Sequence, residues 1–185
     1  MKLALMPVPI DGDTPFDRQA EHEQCQQHWP DTPRWLLVSG TFTRLLYWQP
    51  GKLHCYGGGL FPLGDPASLA RLGLWGVQAM LQAAEGITPL TPLASQLFTR
   101  FSGHIEQVVD WSKRAQAADY AALTADMLAH PDDPLAQPLL SRAAQELWAL
   151  LHVARAQQAE QVWLSGPLCT ACLAVLGDES HREAC

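Results

Sequence analysis

Long hydrophobic runs are missing from this chain. No stretch approaches the roughly 20 consecutive apolar residues that span a bilayer. The apolar start Met1–Met6 stops at Pro7 and Pro9 and is followed by Asp11 and Asp13, which leaves too little for a secretory h-region of roughly 7–15 residues. A soluble, cytoplasmic protein with no membrane partner is the expectation. Positive charge is also scarce: 12 Lys and Arg stand against 19 Asp and Glu, for a formal net charge of −7. The basic residues are scattered singly, so no stripe exists to follow a phosphate backbone, and nucleic acid is excluded as an expected partner. Cysteine amounts to five residues in a 185-residue chain. That odd number, in a chain large enough to fold without staples, points to reduced thiols rather than a disulfide framework. What is abundant is apolar: 48% of the residues are hydrophobic and 17% charged, the composition of one globular domain with a real core.

Residues 1–34 carry Pro7, Pro9, Pro15, Pro30 and Pro33 and read as an N-terminal extension or linker. Within them, the polar stretch Phe16 to His28 suits a short helix or a mobile segment. The folded domain is expected over 35–185. Its strongest β-signal is Trp35-Leu36-Leu37-Val38-Ser39, punctuated by Gly40 and followed by a second strand from Thr43 to Trp48. Gln49-Pro50-Gly51-Lys52 is a strong turn, with Pro presetting φ and Gly supplying positive φ. Leu53 to Tyr56 makes a third strand, closed by Gly57-Gly58-Gly59. Three strands with tight connections predict an antiparallel meander.

From Pro66 the apolar period becomes helical, through Leu69, Leu72, Leu74, Val77, Met80 and Leu81, with Gly86 as its stop. Thr91-Pro92 reads as an N-cap and first helical residue. Further helices are predicted around Ile105–Trp111, over Ala118–Ala129, and from Asp132-Asp133-Pro134 through Leu151. Val162-Trp163-Leu164 predicts a strand entering a turn at Ser165-Gly166-Pro167, and a last helix covers Cys169 to Leu176. The order gives an α/β fold with helices covering a mixed sheet.

Four segments in this order resemble one family. Val38-Ser39-Gly40-Thr41-Phe42-Thr43 is similar to the GTGS phosphate hairpin of the BadF/BadG/BcrA/BcrD-type ATPases and glucosamine (N-acetylglucosamine) kinases. Gly57-Gly58-Gly59-Leu60-Phe61-Pro62-Leu63-Gly64-Asp65 is close to their GGWGFPLGDEGSG. Thr88–Leu93 with Ala118–Leu123 forms the third match. Asp133-Pro134-Leu135-Ala136 followed by Val162–Gly166 forms the fourth. The matches run over roughly residues 35–175 and are similar to the C-terminal half of the family. The resemblance implies an actin-like, ribonuclease-H-like ATPase domain, with ATP and Mg²⁺ as cofactors and a hexosamine as substrate. It places Gly40, Thr41, Thr43 and Gly166 at the nucleotide and Gly58 and Asp65 at the sugar. A Gly-rich turn suits phosphate because backbone N–H groups approach closely and a hydroxyl adds a donor.

The departures from the pattern are specific. Phe42 stands for the middle glycine of GTGS, Gly59 for Trp and Leu60 for Gly. Pro66, Ala67 and Leu69 replace the Glu and glycines of GDEGSG, and Pro167 the second glycine of the adenosine turn. Nothing resembles the family's DGGGT phosphate loop or the region supplying its catalytic base, and one more strand and helix would be expected after the last helix. Since phosphoryl transfer is mostly positioning and electrostatics, an impaired kinase, or one needing a missing half, is implied. A non-catalytic interaction or regulatory protein, and another sugar kinase acting on 2-keto-3-deoxy sugar acids, are the alternatives. Apolar surface left by a missing half predicts a homodimer or association with another chain.

Two residue groups carry competing readings. Asp65 before Pro66 also suits a helix N-cap. Cys169-x-x-Cys172 with His181 and Cys185 has the donors for zinc, but no common module spacing, and packed thiols are preferred; a looser set at His22, Cys25 and His28 is weaker still. The tryptophans fall at core positions, and no Ser-His-Asp arrangement is legible.

Overall fold

The computed structural model describes residues 1–59 and 61–177. The described residues form five strands and eight helices: β1 (Lys2–Leu5), α1 (Arg18–His28), β2 (Arg34–Ser39), β3 (Thr43–Gln49), β4 (Lys52–Gly57), α2 (Leu69–Ala84), α3 (Pro92–Thr99), α4 (Ile105–Ser112), α5 (Ala117–Ala121), α6 (Thr124–Ala129), α7 (Ala136–Ala156), β5 (Gln161–Ser165) and α8 (Pro167–Gly177). The strands make one sheet in the order β1-β5-β2-β3-β4. The meander β2-β3-β4 is antiparallel, as the turn residues predict, while β5 runs parallel to both β2 and β1.

The central strands are apolar on both faces, the pattern of a sheet covered on two sides. Trp35, Leu37 and Leu45 face the helical layer, where they join Leu72 and Met80 of α2, Leu147 and Leu151 of α7, and Leu168 of α8. Leu36, Val38, Leu46, Trp48 and Leu53 face the other way, onto Ile10, Phe16, Cys25 and Trp29. The second layer is thus built from residues 8–29. The Trp48 indole N–H donates to the Trp29 carbonyl at 2.7 Å and fixes the end of α1 to the sheet.

Four sequence expectations change. The segment 1–34, read from its prolines as an extension, adds an edge strand to the sheet and a helix to one face. The helix expected from Pro66 begins at Leu69, because Ser68 is the N-cap: its hydroxyl accepts from the Arg71 N–H at 3.0 Å. The single helix expected over 118–129 is two, α5 and α6, with Ala122 and Leu123 between them. The long helix expected from Asp132-Asp133-Pro134 likewise starts later, at Ala136, while other punctuation holds. Gly86 follows the C-cap of α2 at φ +76°, and the Thr91 hydroxyl caps α3 with Pro92 in its first turn.

Candidate anion-binding cleft

Parallel pairing of β2 and β5 decides what meets what. Leu37 pairs with Leu164 and Val38 with Ser165, so the turn after β2 and the turn after β5 emerge side by side at one end of the sheet. Gly40 and Gly166, expected at the nucleotide, therefore line the same cleft. Its volume is about 160 Å³, and its other walls combine Gly12, Asp13, Ser39 and Ser165 with the apolar Ile10, Val38, Leu69 and Pro167. Gly166 is obligatory there: it has φ +104°, and a Cβ would lie 1.9 Å from the Ser39 carbonyl oxygen.

The donors of the hairpin are all engaged inside the protein. Gly40 N–H donates to the Phe42 carbonyl at 3.0 Å, and Phe42 N–H to the Gly12 carbonyl at 2.9 Å. Thr41 gives both its N–H and its hydroxyl to Asp13 Oδ1, each at 2.9 Å. Thr43 N–H donates to Asp65 Oδ1 at 2.7 Å, and the Thr43 hydroxyl lies 3.0 Å from both Ser39 Oγ and the Ala67 carbonyl. The hairpin carbonyls are used as well: those of Gly40 and Thr41 accept from Leu69 and Ala70 N–H at the start of α2. Thr43 is completely buried and Thr41 only 7% exposed; Phe42, half-buried, does not displace the loop that covers the turn.

Gly58 and Asp65, expected at the sugar, converge on Thr43. Gly58 N–H donates to the Thr43 carbonyl at 3.1 Å, while the Asp65 carboxylate takes the Thr43 N–H. Asp65 is therefore not the N-cap of α2; it closes a loop onto the hairpin from the inner side. It is fully buried, and its second oxygen has no hydrogen-bond partner among the described residues. Burial pushes its pKa up from 3.8 to about 6, against the opposing pull of Ser68 and of the Thr43 amide.

Sequence reasoning missed the residues that cover the turn. Asp11, Gly12, Asp13 and Thr14 form a strap laid across the hairpin. Arg44 holds it from behind, its Nη2 donating to the Asp11 carbonyl at 2.6 Å and Nη1 to the Thr14 carbonyl at 3.2 Å. The same guanidinium pairs with Glu21 of α1 at 2.6 Å, both side chains being buried. Burial raises the Glu21 pKa above its ordinary value even though Arg44 opposes the rise. One signal was legible: Arg44 alternates with Leu46 and Trp48, so strand periodicity puts a lone cation on an inward face, where it needs partners.

The described cysteines of the candidate metal sets are packed thiols. Cys169 and Cys172 are buried, with Sγ 3.8 Å from the Leu37 and Leu140 carbonyls. Burial pushes them up to about 12 and about 11, away from the thiolate form that metals take. His181 and Cys185 lie outside the described residues. In the second set, Cys25 is buried and pushed up to about 12, while His22 lies edge-on to Trp48.

No protein-family profile matches the chain. Glucosamine kinase GspK of Vibrio cholerae serotype O1 is 33% identical to it over 135 residues, which is 72% of this chain and 46% of that protein. The chain fits the BadF/BcrA-type, glucosamine-kinase-like family over part of its length. A solved structure from Chromobacterium violaceum, of a protein assigned as an N-acetylglucosamine kinase, matches with a TM-score of 0.72 at 28% identity. The match covers 82% of this chain and 54% of that one. A counterpart from Porphyromonas gingivalis gives a TM-score of 0.63 at 17% identity over 83% of this chain and 54% of its own, a likeness of fold. The fold is thus the actin-like ATPase fold of these sugar kinases, and the chain spans about half the length of the relatives it matches. No helix among the described residues is long and apolar enough to cross a membrane.

Proposed function

We propose that this glucosamine-kinase-like chain is a divergent sugar-kinase lobe whose inherited reaction is transfer of a phosphoryl group from ATP to a sugar hydroxyl, and that the chain by itself is impaired in it. The supporting observation is that Gly40 and Gly166, matched to the nucleotide turns from separate parts of the sequence, line one cleft. Gly58 and Asp65 extend from the same hairpin through Thr43. In the arrangement described, however, these residues do not fit ATP. The cleft of about 160 Å³ is small beside ligand pockets of roughly 300–1,000 Å³, and the hairpin amides are already taken.

The consumed donors also favour a second reading: a non-catalytic protein that keeps the fold for binding a partner. Association with a second copy or another chain fits Leu5 and Met6, each 40% exposed at and just beyond the edge strand β1; a strictly monomeric elution at high concentration would count against it. Calorimetry of the chain with ATP-Mg²⁺, alone and with glucosamine, separates the two functions. Micromolar binding supports a kinase lobe, and normal turnover in a coupled assay would overturn its impairment. Absence of heat at millimolar ligand sinks retained binding and favours the partner-binding protein.

A further inference from the structure

At the hairpin, a carboxylate of the chain sits where an anionic ligand would be received. Asp13 Oδ1 accepts the N–H and the hydroxyl of Thr41 together, each at 2.9 Å. That pair of donors on one residue is what a hydroxyl-bearing turn offers an anionic oxygen, and bonds of this charge-assisted kind are the strong ones. The neighbouring amide, Phe42 N–H, is filled by the Gly12 carbonyl. Backbone meets backbone so closely that a Cβ on Gly12 would lie 2.8 Å from Gly40 N, and a Cβ on Gly40 would lie 2.6 Å from the Gly12 carbonyl carbon. No group the size of a phosphate fits between them.

We propose that Asp13 is an internal ligand of the Gly40–Thr43 turn, holding it closed to external anions until the strap lifts. The inference rests on the reading of this turn as an inherited phosphate-binding turn. The strap has a fixed side and a replaceable side. Its fixed side is the pair of carbonyls, Asp11 and Thr14, gripped by buried Arg44, which Glu21 in turn pairs with. Its replaceable side is Asp13, an exposed residue whose carboxylate is the group an anion would exchange with. Exchange of one anion for another keeps Thr41 satisfied, and the Phe42 N–H released from the Gly12 carbonyl is then free to bond the incoming anion.

The test uses the full chain and follows the Thr41 and Phe42 amides by NMR while inorganic phosphate, then ATP-Mg²⁺, is added. The wild type is expected to show both amides unmoved at millimolar phosphate. Asp13→Ala frees the Thr41 donors and is expected to bind at least about tenfold more tightly, the worth of a charge-assisted hydrogen bond, with the Thr41 amide moving first. Asp13→Asn keeps an acceptor oxygen in place, so it should stay near the wild type and guard against a folding defect in the alanine variant. Equal binding by wild type and Asp13→Ala overturns the internal-ligand role and leaves the phosphate-turn reading intact. An asparagine variant that binds as tightly as the alanine one also overturns it, since occupancy of the donors would then be irrelevant. If Asp13→Ala exposes the Thr41 amide to exchange and still binds neither probe, the turn is no anion site, and the inference falls together with the reading beneath it.

Discussion

Two segments in this protein resemble the same family's site, yet the fold uses them in opposite ways. The turn 40–43 is closed: Thr43 is fully buried, and its amides bond to Asp13, Asp65, Gly12 or the turn itself. The loop 58–65 is held by its two ends, with Gly58 N–H and the Asp65 carboxylate both meeting Thr43. Between those ends it reaches the surface, where Leu63 is 90% exposed. Glycine content is therefore a poor guide to openness. At Gly40 the missing side chain admits another backbone, Gly12, and at Gly59 it admits that of Gly64, whose carbonyl oxygen would lie 2.7 Å from a Cβ; the same close approach seals the turn and draws the loop together while Leu63 still projects outward.

The most severe way to break the closed region is Gly166→Ala. Its Cβ would meet the Ser39 carbonyl at 1.9 Å in a backbone conformation with φ +104°. The β2 and β5 turns must then separate, and we expect a loss of about 3 kcal/mol or more in urea unfolding. Glu21→Ala comes next. It leaves Arg44 buried without its counter-charge, an uncompensated charge that costs about 3 kcal/mol. Arg44 keeps the Asp11 and Thr14 carbonyls, so this variant should lose somewhat less than Gly166→Ala. Replacing both members with apolar residues, Glu21→Leu with Arg44→Met, should recover most of that loss while loosening the strap. Stability near wild type together with faster exchange of the Thr41 amide would separate pinning of the strap from stability of the fold. Unchanged exchange would show that Arg44 does not pin it.

How much of this was legible beforehand depends on the range of the interaction. The meander, the caps at Thr91 and Gly86 and the strand at Val162–Leu164 follow from turn chemistry and periodicity over a few residues, and the sequence carries them openly. The meeting of Gly40 with Gly166 needed the parallel register of β2 and β5 across 126 positions (166 − 40), which only the family resemblance supplied. The strap was not legible. Its five-proline setting looks like a linker, and nothing local says that Asp13 reaches Thr41. The cap reading offered for Asp65 beside the sugar-binding one fails for a local reason: an Asp-Pro pair before a helical period resembles a cap, but Ser68 stands nearer the first helical turn and takes that role.

Asp65 sharpens the comparison from the inner side, through pH. Its pKa is raised from 3.8 to about 6 by burial. The contribution of a group raised in this way is fully present below pH 3.8 and is lost as pH rises through about 6, because the folded state then holds an unwelcome charge. At about 1.4 kcal/mol per pKa unit, the loss is on the order of 3 kcal/mol. Asp65→Asn keeps an acceptor for the Thr43 N–H and removes the charge. The variant should therefore be more stable than wild type above pH 6 and lose that advantage toward pH 3.8. Unfolding curves on both sides of that range check it, and a variant less stable at neutral pH would mean that the ionised carboxylate is what holds Thr43.

The mildest change tests the open region. Leu63 is 90% exposed, so Leu63→Ser should shift stability by less than about 0.5 kcal/mol. Stability alone would then call the residue idle. A single exposed apolar side chain is ordinary on a protein surface and by itself marks no site, so only a binding measurement can show whether this one is used. If the loop receives a sugar or a partner surface, Leu63→Ser should weaken glucosamine binding in calorimetry, or association in gel filtration, while the unfolding midpoint stays fixed. A midpoint that falls with the substitution would place Leu63 against the protein's own core, and the loop would then be as closed as the turn it hangs from.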